Sequence, residues 1–401
     1  MLPTLLLLAG VTRAEPVHGY VDLHIHLAAH LAVPVYGRGL DTTPPERRDN
    51  RHGLQQQLHT ADLRAPGPAV LVSLAYANPM STDFETRRSM RARIERQLAY
   101  VEAWCAKHAD RFGLARSPEE ARAILAEGRT AVVHGIEGAT KILFDAEDAR
   151  GWADRGVAVV TPIHLADNRI GGAWCQEGVL GLLNVPGCWD EALGPKRHGL
   201  TDFGAARVGD LMDAGIIVDL AHASDASFAD GIGLLRARGV APVYTHVGAA
   251  AVRNDSTALT DAELRDVYAL GGLVGVTANL SHLRPRPVPE SLPPEHCPGS
   301  IDDYRLQWDH IVGIAAGAPV GWGSDFQGGI NHLGPVYGRR GCPDAPVGRP
   351  LEAFDAEGLS NAALVEPMFA RLAEGGSDRA PLDASAERFL TIWETARAHR
   401  R

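Results

Sequence analysis

Apolar, mostly β-branched runs alternate with stretches of helical periodicity along nearly the whole chain. Eight runs read as strands: Tyr20–His26, Ala69–Ala77, Ala131–Glu137, Val157–His164, Ile216–His222, Pro242–His246, Leu273–Ala278 and Val320–Asp325. They are near-continuously apolar, as strands buried on both faces should be. Between them, Ile94, Leu98 and Val101 recur at helical spacing, as do Ile301, Tyr304, Trp308, Ile311, Val312 and Ala315. Ser117 followed by Glu119 and Glu120 reads as a capped start to a helix ending at Gly128. Two more helical stretches follow near the end, Asn361–Gly375 and Ala384–His399.

Eight strands separated by helices fit a closed barrel or an open doubly wound sheet. The strand count favours the barrel. No GxGxxG follows the first strand, which removes the main reason to expect a dinucleotide fold. The expected fold is therefore α/β, a (β/α)8 TIM-type barrel with additional C-terminal helices. The chain has 401 residues, 45% of them hydrophobic, and α/β barrels of this kind run long as one domain. One domain is expected over residues 15–401. The polar segment Ala28–Pro68, with its PP, ERRDNR and QQQ, reads as an excursion over the barrel mouth.

Residues 1–14 contain a short apolar run, Leu5 to Val11, with no Lys or Arg ahead of it. It reads either as the core of a secretory signal or as a first hydrophobic segment packed on the barrel. An exported location, periplasmic or secreted, and a cytoplasmic one both stand at this point. No stretch approaches the ~20 apolar residues of a membrane span. The formal charge of −10 argues against a nucleic-acid surface. Five cysteines lie scattered with no CxxC, so neither a zinc finger nor a thioredoxin motif is present. Cys175 and Cys188 flank a Gly-rich loop, and Cys297 and Cys342 lie in Pro/Gly-rich loops. Disulfides are open to them in an oxidising compartment, and the odd count leaves at least one free thiol.

The informative polar residues stand at strand ends: His24 and His26, Glu137, His164, His222, His246 and Asp325. All strand C-termini of a barrel open on one face, where catalytic residues gather. These side chains would therefore converge. His24 and His26 are two apart on a strand and share a face, so one cation can take both imidazoles. Glu137 can bridge two cations, with His222 and His246 completing a second site. Imidazole and carboxylate together suit zinc and related divalent ions. Two such ions lower the pKa of a water held between them. Any one of these residues alone would be unremarkable, and His18, His30, His198 and His282 are read as ordinary surface or core histidines.

Several stretches resemble the membrane (renal) dipeptidase family, peptidase family M19, within the metal-dependent amidohydrolase superfamily. They are IEG at Ile136–Gly138, IHLADN at Ile163–Asn168, and GLTDFG at Gly199–Gly204 leading into AGIIVDLAHAS at Ala214–Ser224. THVGAAAVRND at Thr245–Asp255, LTDAELRDVYALGGLVGV at Leu259–Val276, GWGSDF at Gly321–Phe326 and GLSNAALVEPMFARL at Gly358–Leu372 follow. They run in the family's order over most of the chain. The resemblance implies a bridging role for Glu137 and second-metal ligation by His222 and His246. It implies that His164 steadies the carbonyl oxygen as it becomes tetrahedral. It also implies that Arg253, beside Asn254, pairs with a substrate carboxylate. Asp325 would contact the metal-bound water and the substrate amine.

Two departures stand out. The family's first motif is usually HxD and is HxH here, at His24 and His26. That raises the charge of the first site by one, which would hold hydroxide more tightly. The last motif is usually DFDG and is DFQG here, with Gln327. The Ala28–Pro68 segment has no counterpart in the family pattern.

The expected function is hydrolysis of an amide bond in a small substrate, a dipeptide or N-acyl amino acid, by attack of a metal-bridging hydroxide. A lactone, cyclic amide or β-lactam is the alternative, and Arg253 discriminates, because a substrate without a free carboxylate has no need of it. A non-catalytic barrel would have lost ligands, and none is missing here. The expected cofactors are two divalent metal ions, Zn2+ first. The expected partners are the small-molecule substrate and, where the chain self-associates, a second copy in a homodimer; no nucleic acid is expected.

Overall fold

The computed structural model describes residues 16–33, 39–42, 56–76, 85–175, 198–253, 257–283, 296–339, 342–348 and 351–401. Its strands are β1 (Val21–Ile25), β2 (Val70–Tyr76), β3 (Phe112–Ala115), β4 (Thr130–Glu137), β5 (Val157–Thr161), β6 (Ile217–Val218), β7 (Val243–Val247), β8 (Leu273–Val276) and β9 (Gly321–Trp322). All the pairings between named strands are parallel. Around the wall the order is β6-β5-β4-β2-β1-β9-β8-β7. A parallel bridge between Asp219, just past β6, and Val243 of β7 closes the ring. The eight-stranded TIM-type barrel is therefore the fold.

The ninth strand, β3, stands outside the wall order and has no counterpart among the sequence expectations. It pairs with Thr130–Val133, the first half of β4, while β5 pairs with His134–Glu137, the second half. One long strand thus serves two partners on the same edge.

Helices alternate with the wall strands, and their starts are capped by side chains. Ser117 accepts from the backbone N–H of Glu120 at the start of Pro118–Ala126, and Thr260 forms a capping box with Glu263 before Asp261–Ala269. The helices Arg87–Lys107, Ile301–Ala315, Val365–Glu374 and Ser385–Ala398 stand where the periodicity placed them.

One apolar cluster gathers Val21, Leu23, Val70, Val72, Val133, Val159, Ile217, Val243 and Leu273 from the wall with Phe389 and Trp393 of the last helix. Ser385 Oγ accepts from Val21 N, and the N–H of Ala386 donates to Gly19 O, so that helix docks where β1 begins. The barrel therefore has an apolar lower half, leaving polar groups to the other end. Part of the 28–68 segment also packs into the core, through the buried Leu40, Leu58 and Leu63.

Cys297 and Cys342 form a disulfide, Cys175 is also disulfide-bonded, and Cys105 is a buried free thiol whose pKa burial pushes up to about 12. Among the described residues no helix is long and apolar enough to cross a membrane.

Candidate metal centre

Three strands carry their functional side chains within the ladder: His24 on β1, Glu137 at the end of β4 and His246 on β7. The pairing register slips between Asp22 and Ile25 in β1 and between Tyr244 and Val247 in β7. Such irregularities re-aim side chains beside active sites. Here they let the consecutive residues Thr245 and His246 both face His24. His164, His222 and Asp325 lie just beyond their strands. His222 and Asp325 hold left-handed backbone, with φ of 65° and 50°. For residues other than glycine that conformation costs about 1–2 kcal/mol each, so surrounding contacts must hold it. This is why β6 and β9 are shorter than their apolar runs suggested.

The side chains meet in one buried cluster. His24 Nε2 lies 3.1 Å from His26 Nε2, 3.4 Å from Glu137 Oε1 and 3.7 Å from Asp325 Oδ1. His26 Nε2 is 3.2 Å from Asp325 Oδ1 and 3.6 Å from Glu137 Oε2. His222 Nε2 approaches Glu137 Oε1 at 3.0 Å, and His164 Nε2 approaches Glu137 Oε2 at 3.6 Å. The His246 ring packs against His24 and His222, with centroids 4.1 and 4.9 Å away. Among the described residues, three overlapping groups have ligand atoms within 4.8 Å of one another: His24, His26 and Asp325; His24, Glu137 and His246; Glu137, His164 and His222. Glu137 belongs to two of the three. His164 is as close to Glu137 and His222 as a ligand would be, and Asp325 as close to the β1 pair.

The donor set itself tests whether a cation fits. His26 Nδ1 lies 3.0 Å from the carbonyl oxygen of Leu74. A carbonyl only accepts, so Nδ1 carries a proton, and in the neutral ring Nε2 is the acceptor. That nitrogen faces another imidazole nitrogen and carboxylate oxygens from Glu137 and Asp325. Converging acceptors need a positive species between them, and a divalent ion suits imidazole and carboxylate together.

The titration behaviour has the same origin. In the absence of a cation, burial would lower His24, but Glu137 and then Asp325 outweigh it and raise its pKa to about 9; a cation at Nε2 would displace that proton. Burial would raise Glu137, yet His164, His24 and the hydrogen bond from His222 keep it well below the usual carboxylate range. Burial lowers His164 to about 3 and, with His24 and His222 adding to it, takes His246 well below the ordinary value.

Arg253 is buried on the loop after β7, with its N–H donating to Ala249 O. Asn254 lies outside the described residues. His282, read from sequence as ordinary, is buried with its ring 6.2 Å from Trp174, which itself packs edge-on against His222 at 4.5 Å. Gln327 faces the 28–68 segment. Its Oε1 accepts from Gln57 N while its own N–H donates to Gln57 Oε1. Gln57 Nε2 donates in turn to His332 Nδ1, and His332 Nε2 donates to Ser324 O.

Sequence reasoning left Asp219 and Thr245 unassigned, although both stood inside quoted motifs. The signal was present: a carboxylate within an apolar barrel run is almost never buried without a partner.

An open pocket of about 660 Å³ lies away from the cluster, lined by His18, Arg64, Arg111, Arg122 and Arg129 where strands begin. Arg122 already pairs with Glu387 and Glu394, and Arg129 with Glu127. That face of a barrel serves stability.

Among known proteins, the dipeptidase ataJ of Aspergillus terreus is 28% identical over 265 residues, 63% of this chain and 60% of that protein. An uncharacterized dipeptidase of Schizosaccharomyces pombe is 25% identical over 50% of this chain and 42% of its own length. The matched region thus spans between about two fifths and three fifths of these relatives. The fold is shared with the probable dipeptidase PvdM of Pseudomonas aeruginosa, with a TM-score of 0.69 and 18% identity over 95% of this chain and 96% of that one. It is shared equally with a metallo peptidase of Rhodobacter sphaeroides liganded with a phosphinate mimic of L-Ala-D-Ala, at TM-score 0.67 and 18% identity over 95% and 99% of the two chains. Residues 12–334 match the family described as membrane dipeptidase, and the chain accordingly belongs to peptidase family M19.

Proposed function

We propose that this protein is a metal-dependent dipeptidase, hydrolysing the amide bond of a dipeptide or a similarly small N-acyl amino acid. The observation that carries the reading is the buried convergence of imidazole and carboxylate acceptors on one point. His24, His26, Glu137, His222 and His246 would hold two divalent cations, zinc first, with Glu137 shared between them. Cations bound there supply Lewis acidity and lower the pKa of water to near neutral.

The chain's own groups divide the remaining work. Asp325 takes the proton of the attacking water and passes it to the leaving amine. A neutral His164 has one N–H to give, and it donates to the carbonyl oxygen as negative charge gathers there. Arg253 fixes the substrate through its free carboxylate with paired hydrogen bonds. The proximity of Asp325 to His26 Nε2, 3.2 Å, also suits it as a ligand of the first cation.

Disulfides persist in oxidising compartments and are rare in the cytosol. The Cys297–Cys342 bond therefore supports export over a cytoplasmic location. Intact Met1 on protein recovered from the cytosol, read by mass spectrometry, would rule export out.

Activity is tested by a panel of dipeptides, each offered as the free acid and as the C-terminal amide. The proposal expects zinc-dependent hydrolysis of free acids and weak turnover of amides. Equal turnover of both, or preference for lactones and cyclic amides, would replace the dipeptide with the alternative substrate class.

A further inference from the structure

Behind the cluster lies a second layer of polar groups. Asp219 is fully buried just beyond β6. Its Oδ1 accepts from the backbone N–H groups of Ala221 and Thr245, each at 3.0 Å. Its Oδ2 accepts from the hydroxyls of Thr161 at 2.6 Å and Thr245 at 2.7 Å. Four donors converge on it, which leaves it purely an acceptor.

Thr245 is then determined. Its single hydroxyl proton points to Asp219, so Thr245 Oγ1 can only accept from its other neighbours. Those neighbours are His24 Nδ1 at 2.9 Å and His246 Nδ1 at 3.1 Å. One oxygen with two lone pairs meets two ring nitrogens. Both nitrogens must therefore carry protons.

We infer that Asp219 and Thr245 are positioning residues that hold His24 and His246 with their protons on Nδ1, so that both Nε2 lone pairs are presented to a cation. The inference rests on reading the cluster as a metal centre. One carboxylate orients imidazoles from two separate strands through a single shared hydroxyl. A negative charge behind the hydroxyl also makes both rings better donors to a metal. His26 reaches the same state through Leu74 O, so three imidazoles present Nε2 by two different devices.

A purely structural role explains only part of this. Asp219 helps close the barrel, bridging to Val243 and donating its N–H to Val160 O. Its Oδ1 contacts with backbone N–H groups serve that closure. The Oδ2 contact with the Thr245 hydroxyl adds nothing to the backbone ladder, and Thr245→Val removes that hydroxyl while keeping shape and the backbone contacts. Thr245→Ser keeps the hydroxyl and loses the methyl.

The test measures zinc affinity by competition with a chelator for the wild type and both variants, alongside the melting temperature of each metal-free protein. Thr245→Val should bind zinc about 10- to 100-fold more weakly, and Thr245→Ser should recover most of that loss. Wild-type affinity in Thr245→Val, or a Thr245→Ser as weak as Thr245→Val, would overturn the inference. Should Thr245→Val fail to fold, ring-nitrogen NMR of the zinc-loaded wild type decides. The inference expects His24 and His246 to retain Nδ1–H with the metal on Nε2, and metal on Nδ1 of either ring overturns it. A wild-type chain that binds no zinc sinks the metal reading itself. One that binds zinc while the Thr245 result goes the wrong way sinks this inference alone.

Discussion

The two sides of the cluster are held differently. On the β1 and β7 side, each histidine has its Nδ1 hydrogen-bonded: His24 and His246 to Thr245 Oγ1, His26 to Leu74 O. Behind them, Asp22 Oδ1 accepts from His24 N and Ser324 N, and Ser324 Oγ donates to His24 O. On the β5 and β6 side, the buried His222 Nδ1 has no hydrogen-bond partner among the described residues, and His222 sits in left-handed backbone. His164 lies past the end of β5, partly exposed, with Leu165 beside it also left-handed. An anchored imidazole loses little entropy when it takes a ligand, because its orientation is already fixed. An unanchored one can shift as substrate arrives. The difference suits the anchored side to fixing its cation rigidly, while on the other side His222 would reach the second cation with more freedom and His164 would meet the reacting carbonyl.

The largest effect is expected where the sides meet. Glu137→Gln removes the negative charge they share and one of its two acceptor oxygens, and should weaken both metal sites and cut hydrolysis by roughly 1,000-fold or more. Elemental analysis that finds two full equivalents of metal in that variant would remove the bridging role. On the loose side, His164→Ala should keep its metal and lose about 10²- to 10³-fold in kcat, the size of one lost oxyanion donor. Loss of one metal equivalent instead would make His164 a ligand and not the donor to the carbonyl oxygen. On the loop after β7, Arg253→Met should lower kcat/KM on free-acid dipeptides on the order of 100-fold. It should leave metal content and turnover of amidated substrates nearly unchanged. Equal losses on both substrates would make Arg253 structural.

The smallest effect concerns the scaffold behind the anchored side. Burial lowers His332 to about 4, against the hydrogen bond to Ser324 O. Its folded pKa lies below the ordinary value near 6.5. The neutral ring therefore contributes stability that is complete above about pH 6.5 and is lost as pH falls towards 4. A shift of this size corresponds to at most about 3 kcal/mol. Melting temperatures of metal-free wild type and His332→Asn should converge across that window. A constant gap would show that His332 stays neutral or contributes through packing alone.

Much of this was legible in the sequence, for identifiable reasons. Barrel strands buried on both faces leave continuous apolar runs, so the wall could be read. The metal-capable residues could be read because each interrupts or ends such a run. β3 escaped notice because FGLA is short and merges with the capped helix start at Ser117. The shortness of β6 and β9 was invisible because periodicity carries no sign of a left-handed turn at His222 or Asp325. The Gln57–Gln327 pair joins residues 270 apart in sequence, which no local pattern reports. It also gives the DFQG departure a physical meaning: the amide docks the 28–68 segment. The HxH departure gives the anchored side a third imidazole, with its own backbone anchor at Leu74.

The most direct test of the account is hydrolysis of an L-Ala-L-Ala-type dipeptide by the full chain after chelation and stepwise return of zinc. The stripped protein should be inactive, activity should recover until two equivalents are bound, and Glu137→Gln should show no recovery at the same zinc concentration. Hydrolysis that survives complete removal of metal, or zinc-loaded protein that cleaves no dipeptide, would contradict the account.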